Sequence, residues 1–167
     1  TLYTKLSLQI QYLINKGLLS DNGCTHKYPQ QLATLCYNLA IMHVRQNEQI
    51  FEELAPRYRL GIVAQSYGNM TAVLGDFGLT SYFTDVIESS AVNLNKPDQA
   101  LYRLSVEALH LTPEETLCVS NSLNNDLRPA QGIGCPTVWL SQRSVPPSKR
   151  ISNYHINSLT GLNELLS

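Results

Sequence analysis

The stretch Leu117–Leu140, LCVSNSLNNDLRPAQGIGCPTVWL, runs from an apolar segment into a polar loop that carries Ser120, Asn121 and a lone Asp126. A loop built for a hard divalent cation would present carboxylates there. The amide oxygen of Asn121 can coordinate such an ion but contributes no charge to it. Asp126 is a single carboxylate, and it equally suits the start of a helix, where the dipole favours an acid. Lys96, in Lys96-Pro97-Asp98, is a cation that either meets an anion or stands solvated at a helix start. His26, His43, His110 and His155 do not cluster at metal-ligand spacing. Cys24, Cys36, Cys118 and Cys135 form neither the close pairs of a zinc site nor a disulfide framework. They read as reduced, small, buried apolar groups in a cytoplasmic protein.

These residues need elements to position them. Leu2, Leu6, Ile10, Leu13 and Ile14 recur every three or four positions and predict a helix from Thr1 to about Leu19, with Gly17 near its end. Ser20–Pro29 concentrates turn formers. A second helix is predicted from Gln30 to about Val44. Asn47 then caps a third, with Ile50, Phe51 and Leu54 facing inward. From Tyr58 the pattern changes to short apolar runs of strand length, YRLGIVAQS, DVIESS, TLCVS and PTVWL, with YHINS as a further short strand. Between them lie helical patterns: NMTAVLGDFGL, KPDQALYRLSVEALHL with Leu101, Leu104, Ser105, Ala108 and Leu109 on one face, a helix from about Asn124, and SLTGLNELL. Thr112 and Glu115 are spaced as a capping box around Pro113. Trp139 reads as core at a strand end, and SVPPSKR, Ser144–Arg150, as an exposed loop.

Helices followed by alternating strands and helices predict an α/β domain, 48–167, with a Rossmann-like three-layer core and a parallel sheet, preceded by a small helical segment, 1–47. Ligands in such sheets bind beyond the carboxyl ends of the strands. Chemistry therefore belongs in the loops after Val63, Ser90 and Val119.

The 167 residues are 43% hydrophobic and 15% charged with a formal net charge of −1, which suits one sizeable core. That balance gives no pull toward nucleic acid or an anionic membrane, and Lys149 and Arg150 are too few to supply one. No apolar run approaches the roughly 18 residues of a membrane helix, and no signal-peptide layout opens the chain.

The three loops, in that order, resemble the haloacid dehalogenase-like superfamily of phosphotransfer enzymes, from about Glu53 to the C-terminus. LAPRYRLGIVAQSYG is similar to the second motif, a strand ending in Ser or Thr. SSAVNLNKPDQALYRLSVEALHLTPEETLCVS resembles the third, whose Lys-Pro-Asp opens a helix. VSNSLNNDLRPAQGIGCPTVWL resembles the fourth, which usually reads Gly-Asp-Ser, then three residues ending in Asp, then a helix. The resemblance implies an aspartyl-phosphate mechanism. An Asp ending the first strand is the nucleophile, and a second Asp two residues on is the general acid and base. The second-motif hydroxyl and third-motif lysine hold phosphoryl oxygens, and fourth-motif carboxylates hold Mg²⁺.

Carried over residue by residue, Lys96 takes the phosphate-binding position and Asp126 the second metal carboxylate. Asn121 replaces the first metal carboxylate, and Ser120 the glycine before it. Ala64 stands where the hydroxyl belongs, with Ser66 as its substitute. No Asp-X-Asp occurs. GDFG at Gly75–Gly78 reads as a structural turn. Thr1-Leu2-Tyr3 resembles the Thr-Leu-aromatic run that often succeeds the family's Asp-X-Asp-Gly, so the chain opens already in the first helix. The family's first strand lies centrally, between the strands ending near Val63 and Val119. Without it two rows of backbone donors and acceptors need partners. Either those strands pair directly, or an upstream segment or a second chain fills the gap.

The resemblance thus implies a degenerate member acting as a binding or assembly module, with no cofactor of its own, its helical segment corresponding to the family's cap. The alternative is a Mg²⁺-dependent hydrolase of a small phosphorylated molecule, with its first strand upstream of Thr1. A dinucleotide-binding module is disfavoured, because no Gly-X-Gly-X-X-Gly follows a strand.

Overall fold

A computed structural model describes residues 2–66, 68–143 and 152–167. The loop Ser144–Arg150 foreseen as exposed, Lys149 and Arg150 included, lies outside the described residues. The chain divides into two units, Thr1–Gln46 and Asn47–Ser167.

The first unit holds helix α1 (Leu2–Asn15), a 3-10 turn (Thr25–Lys27) and the first part of helix α2 (Tyr28–Leu54). Of the apolar stripe on α1, Ile10 is buried, Leu6 and Ile14 are half-buried, and Leu2 and Leu13 are exposed. Gly17 ends the helix at φ +68°, and the Leu18 amide returns to the Leu13 carbonyl at 3.0 Å. The polar loop beyond it is bonded internally, with the buried Thr25 hydroxyl donating to Asp21 at 2.8 Å. One continuous helix of 27 residues then replaces the two helices read from the sequence, and Asn47 lies inside it instead of capping. Nothing in Arg45–Gln49 breaks a helix, since Arg, Gln and Glu all favour one. Cys24 and Cys36 are exposed, not buried, because one sits beside the polar turn and the other on an outward face of α2.

In the second unit the chain alternates: β1 (Gly61–Ala64), α3 (Met70–Asp76), β2 (Asp85–Glu88), α4 (Ser89–Val92), α5 (Gln99–Ala108), β3 (Cys118–Ser120), α6 (Arg128–Gly132), β4 (Thr137–Leu140), β5 (Tyr154–Ile156) and α7 (Gly161–Leu165). Every pairing is parallel. β1 runs beside β2 in register Gly61↔Asp85 to Ala64↔Glu88, while β3, β4 and β5 form a separate sheet in that order. The strands ending near Val63 and Val119 therefore do not pair directly.

Side chains alternate across the strands and feed two apolar clusters. Val63, Ile87 and Cys118 pack with Leu101, Tyr102 and Val106 of α5 and Ala130 of α6. Leu117, Val119 and Val138 pack on the other face with Ile50 and Leu54 of α2 and Leu162 of α7. Helices thus cover both faces, the three-layer arrangement. On α5 the buried stripe is Leu101, Tyr102 and Val106, continuing to Leu109, whereas Leu104, placed inward from sequence, is 36% exposed. The helix turns its large aromatic inward because Tyr102 buries a ring and still finds partners for its hydroxyl. Asp98 caps α5, its carboxylate accepting the Ala100 amide at 2.9 Å. The helix expected near Asn124 opens with a single π turn, Leu123–Leu127, and continues as α6.

Candidate functional site

Lys96 and Asp126, 30 positions apart in the chain, meet beyond the carboxyl ends of the strands. Lys96 Nζ lies 2.7 Å from Asp126 Oδ1, with the two side chains 17% and 13% exposed. Local structure explains the meeting. Lys96 sits just ahead of the Asp98 cap of α5. The π turn after β3 carries Asp126 back over the strand end, fixed by the Ser122 hydroxyl accepting the Asn125 amide at 3.3 Å.

Two further donors converge on the same carboxylate. The Tyr102 hydroxyl donates to Asp126 Oδ1 at 2.5 Å and lies 2.7 Å from the Asn125 carbonyl. The Ser120 hydroxyl donates to Oδ2 at 2.6 Å and accepts the Ser122 amide at 3.0 Å. Burial alone would raise the Asp126 carboxyl, but the Lys96 ammonium and the Ser120 and Tyr102 hydroxyls outweigh it and hold the group below the ordinary carboxylate range. The reverse holds for Tyr102, whose hydroxyl is pushed up by burial and then by Asp126. Both oxygens of Asp126 thus face donors.

The remaining motif positions fall elsewhere. Asn121 is exposed, and its carbonyl accepts the indole N–H of Trp139 at 3.2 Å. Ala64 is buried and carries no hydroxyl; its carbonyl accepts Ser89 Oγ at 3.0 Å. The Ser66 hydroxyl donates to Glu88, whose other oxygen accepts the Met70 amide at 3.1 Å. Glu88, 8% exposed, ends β2 and anchors the loop after β1. A polar recess of about 360 Å³ lies beside it, lined by Gln65, Ser66, Ser89, Ser90 and Asn95.

Sequence pattern alone did not mark Tyr102, Glu88 or Trp139 as site residues. Tyr102 carried a faint signal, being a polar-tipped aromatic in an amphipathic helix. Glu88 and Trp139 carried none, because their roles depend on loops that return to them.

A larger cavity of about 480 Å³ opens between β1 and β3. Gly61 and Val63 stand on one side, and Cys118 and Val119 on the other. Lys96, Ser120, Asp126 and Tyr102 also line it.

Comparison with known proteins bears on the family and the fold. Residues 22–140 match the model of the haloacid dehalogenase-like hydrolases. The chain is 30% identical over 91 residues to the glyceraldehyde 3-phosphate phosphatase of Methanocaldococcus jannaschii, covering 53% of this chain and 40% of that protein. It is 32% identical over 75 residues to the phosphoserine phosphatase of Thermus thermophilus, covering 45% of this chain and 30% of that protein. Each match thus spans less than half of the relative's length. Among solved structures, a HAD phosphatase from Thermococcus onnurineus superposes with a TM-score of 0.70 at 21% identity, over 97% of this chain and 88% of that one. A HAD-superfamily hydrolase of subfamily IA from Geobacter sulfurreducens gives 0.67 at 20% identity, over 99% and 88%.

Proposed function

The chain belongs to the haloacid dehalogenase-like hydrolase family, and on that premise we propose that it is, as it stands, a catalytically degenerate member acting as a binding or assembly module. One observation carries this reading. The carboxylate at the motif loop, Asp126, is saturated by Lys96, Ser120 and Tyr102, so it neither attacks a phosphoryl group nor offers a free oxygen to a metal.

The residues present do not fit the Mg²⁺ of the family. Among the described residues no three His, Cys, Asp or Glu side chains gather as a metal-holding group. Asn121 is uncharged, and every donor around Asp126 is one a cation would have to displace. Ala64 supplies no hydroxyl, and Ser66 directs its own to Glu88. Lys96 remains a cation at the position that meets phosphate in the family, so weak anion binding belongs to the same proposal. Free cysteines throughout support a reducing, cytoplasmic setting. No described helix is long and apolar enough to cross a membrane.

The second reading, a phosphatase of a small phosphorylated molecule completed by a strand upstream of Thr1, is favoured by the names of the matched relatives, both phosphatases. It requires Lys96 to leave Asp126 for substrate, and Asn121 and Ser66 to serve as metal and phosphate ligands.

Hydrolysis of p-nitrophenyl phosphate by the purified chain, with and without Mg²⁺ and beside Lys96→Ala, separates the two. The degenerate reading requires no metal-dependent turnover above the variant. Turnover that Lys96→Ala abolishes would overturn it.

A further inference from the structure

We propose that one face of α2 is a self-association surface, on which a second copy of the chain pairs antiparallel through Leu32, Leu35, Leu39 and Met42. The pairing is independent of whether the chain turns over a substrate. Among the described residues, the large apolar side chains that stand exposed gather in the first unit, and the second unit shows only Tyr58, Leu104 and Tyr154. Leu32, Leu35, Leu39 and Met42 are 41%, 54%, 45% and 44% exposed. α2 already has a covered stripe, Ala33, Ala40, Ile41 and Val44, all half-buried. At 3.6 residues per turn the exposed four lie about 160° round the helix from that stripe. One core-facing stripe is ordinary in a globular protein, whereas a helix that is apolar on two opposite sides needs cover on both.

Spacing names the kind of cover. The four residues follow one another at three, four and three positions, the a and d repeat of a coiled-coil seam, whose knobs fit the holes of another helix with the same repeat. A second copy supplies such a helix, and a two-fold axis lets one patch serve both sides. Beyond Met42 the repeat meets Gln46 and Gln49 and ceases to be apolar. The seam is therefore short and buries less than the roughly 800 Å² per partner of a stable interface, which makes the dimer a weak one with a dissociation constant on the order of micromolar.

Charge selects the orientation. The flanks of the seam are Gln31, Cys36, Asn38, His43 and Arg45, with no acid among them and a single arginine. Antiparallel pairing sets Leu32 against the partner's Met42 and Leu35 against the partner's Leu39. Asn38 then meets the partner's Asn38, an amide that both donates and accepts, and Arg45 meets the partner's Gln31. No like charges face each other. A parallel pairing would set Arg45 against the partner's Ile50, a residue that is 2% exposed and held in an apolar cluster. A membrane surface would call for a cationic rim, which one arginine does not make.

The test is sedimentation of the whole chain from about 1 to 500 µM, where a monomer–dimer equilibrium is expected. Leu35→Glu and Leu39→Glu, each at an exposed position, should keep the helical circular dichroism and weaken the dimer at least about tenfold. Tyr154→Glu, at an exposed position of the second unit, should leave it unchanged. The exposed Cys36 reports the register, because antiparallel pairing brings it beside the partner's Cys36 at the two-fold axis. A short bis-maleimide should therefore crosslink the wild type and Cys24→Ser, but not Cys36→Ser. These crosslinks leave the seam intact, so they decide the register whatever the leucine substitutions do to folding. A chain that stays monomeric at the highest concentration, a dimer indifferent to both leucine substitutions or lost in Tyr154→Glu, or crosslinking that needs Cys24 would overturn the inference. Monomers that bind phosphatidylcholine vesicles would overturn it too, naming a membrane as the occupant.

Discussion

Strands β1 and β4 have the same length, four residues each, and both lie beneath helices, yet they differ sharply in burial. In β4, Thr137, Val138 and Trp139 are buried, and each edge meets a neighbour, β3 on one side and β5 on the other. In β1 only Ala64 is buried, Gly61 is exposed, and among the described residues the strand pairs with β2 alone. Helix cover is therefore not enough to bury a strand. The lateral neighbours exclude water as much as the layers above and below do.

The largest effect that tests this contrast is truncation of matched valines. Val138→Ala removes two fully buried methyl groups and should cost about 2 kcal/mol. Val63→Ala, at a half-buried edge position, should cost roughly half as much or less. Urea unfolding midpoints measure both, and equal losses would mean that Val63 is as well packed as Val138 despite its lower burial.

Next comes the ionic cluster. Lys96→Ala leaves a largely buried carboxylate with hydroxyl donors only and should cost about 1–3 kcal/mol. The depressed Asp126 acidity fixes the sign of the pH effect. Its stabilisation is fully present above about pH 4, the ordinary carboxylate value, and is lost as pH falls through the lower folded value. Asp126→Asn should therefore flatten the acid limb of stability below about pH 4. An unchanged limb would sink the assignment.

Tyr102→Phe is smaller. It removes the hydroxyl that donates to Asp126 and should cost about 1 kcal/mol while keeping the buried ring. The smallest effect belongs to Mg²⁺. A ligand that binds only the native state must raise its melting temperature, so millimolar Mg²⁺ should leave the midpoint unmoved if Asp126 is saturated as described. A clear rise would restore the metal site.

Much of the α/β layout was legible because local pattern suffices for it. Buried parallel strands read as short apolar runs, and the Lys96-Pro97-Asp98 and Thr112–Glu115 signatures bracket α5 and the turn before β3. Local pattern failed where a long-range partner decides. Leu104 and Tyr102 compete for the inward face of α5, and only the distant Asp126 settles that contest for Tyr102. Asn47 looks like a cap in isolation, but its helix-forming neighbours carry the turn through. The site divided in the same way. The chain positions of Lys96 and Asp126 marked them as candidates, while the saturation of Asp126 depends on Ser120, which the sequence presented merely as a lost glycine. The redirection of Ser66 depends on Glu88, which no motif singled out.

The cysteines, unremarkable in fold and site, divide the molecule chemically. Burial pushes the Cys118 thiol up to about 12 and the Cys135 thiol to about 11, so both stay protonated at neutral pH and are poor nucleophiles. Cys24 and Cys36 stand exposed. An alkylating reagent should label those two first, the half-buried Cys118 more slowly and the buried Cys135 last. The lag before Cys135 is labelled is then a clock for local opening at the turn into β4, built into the chain without any substitution.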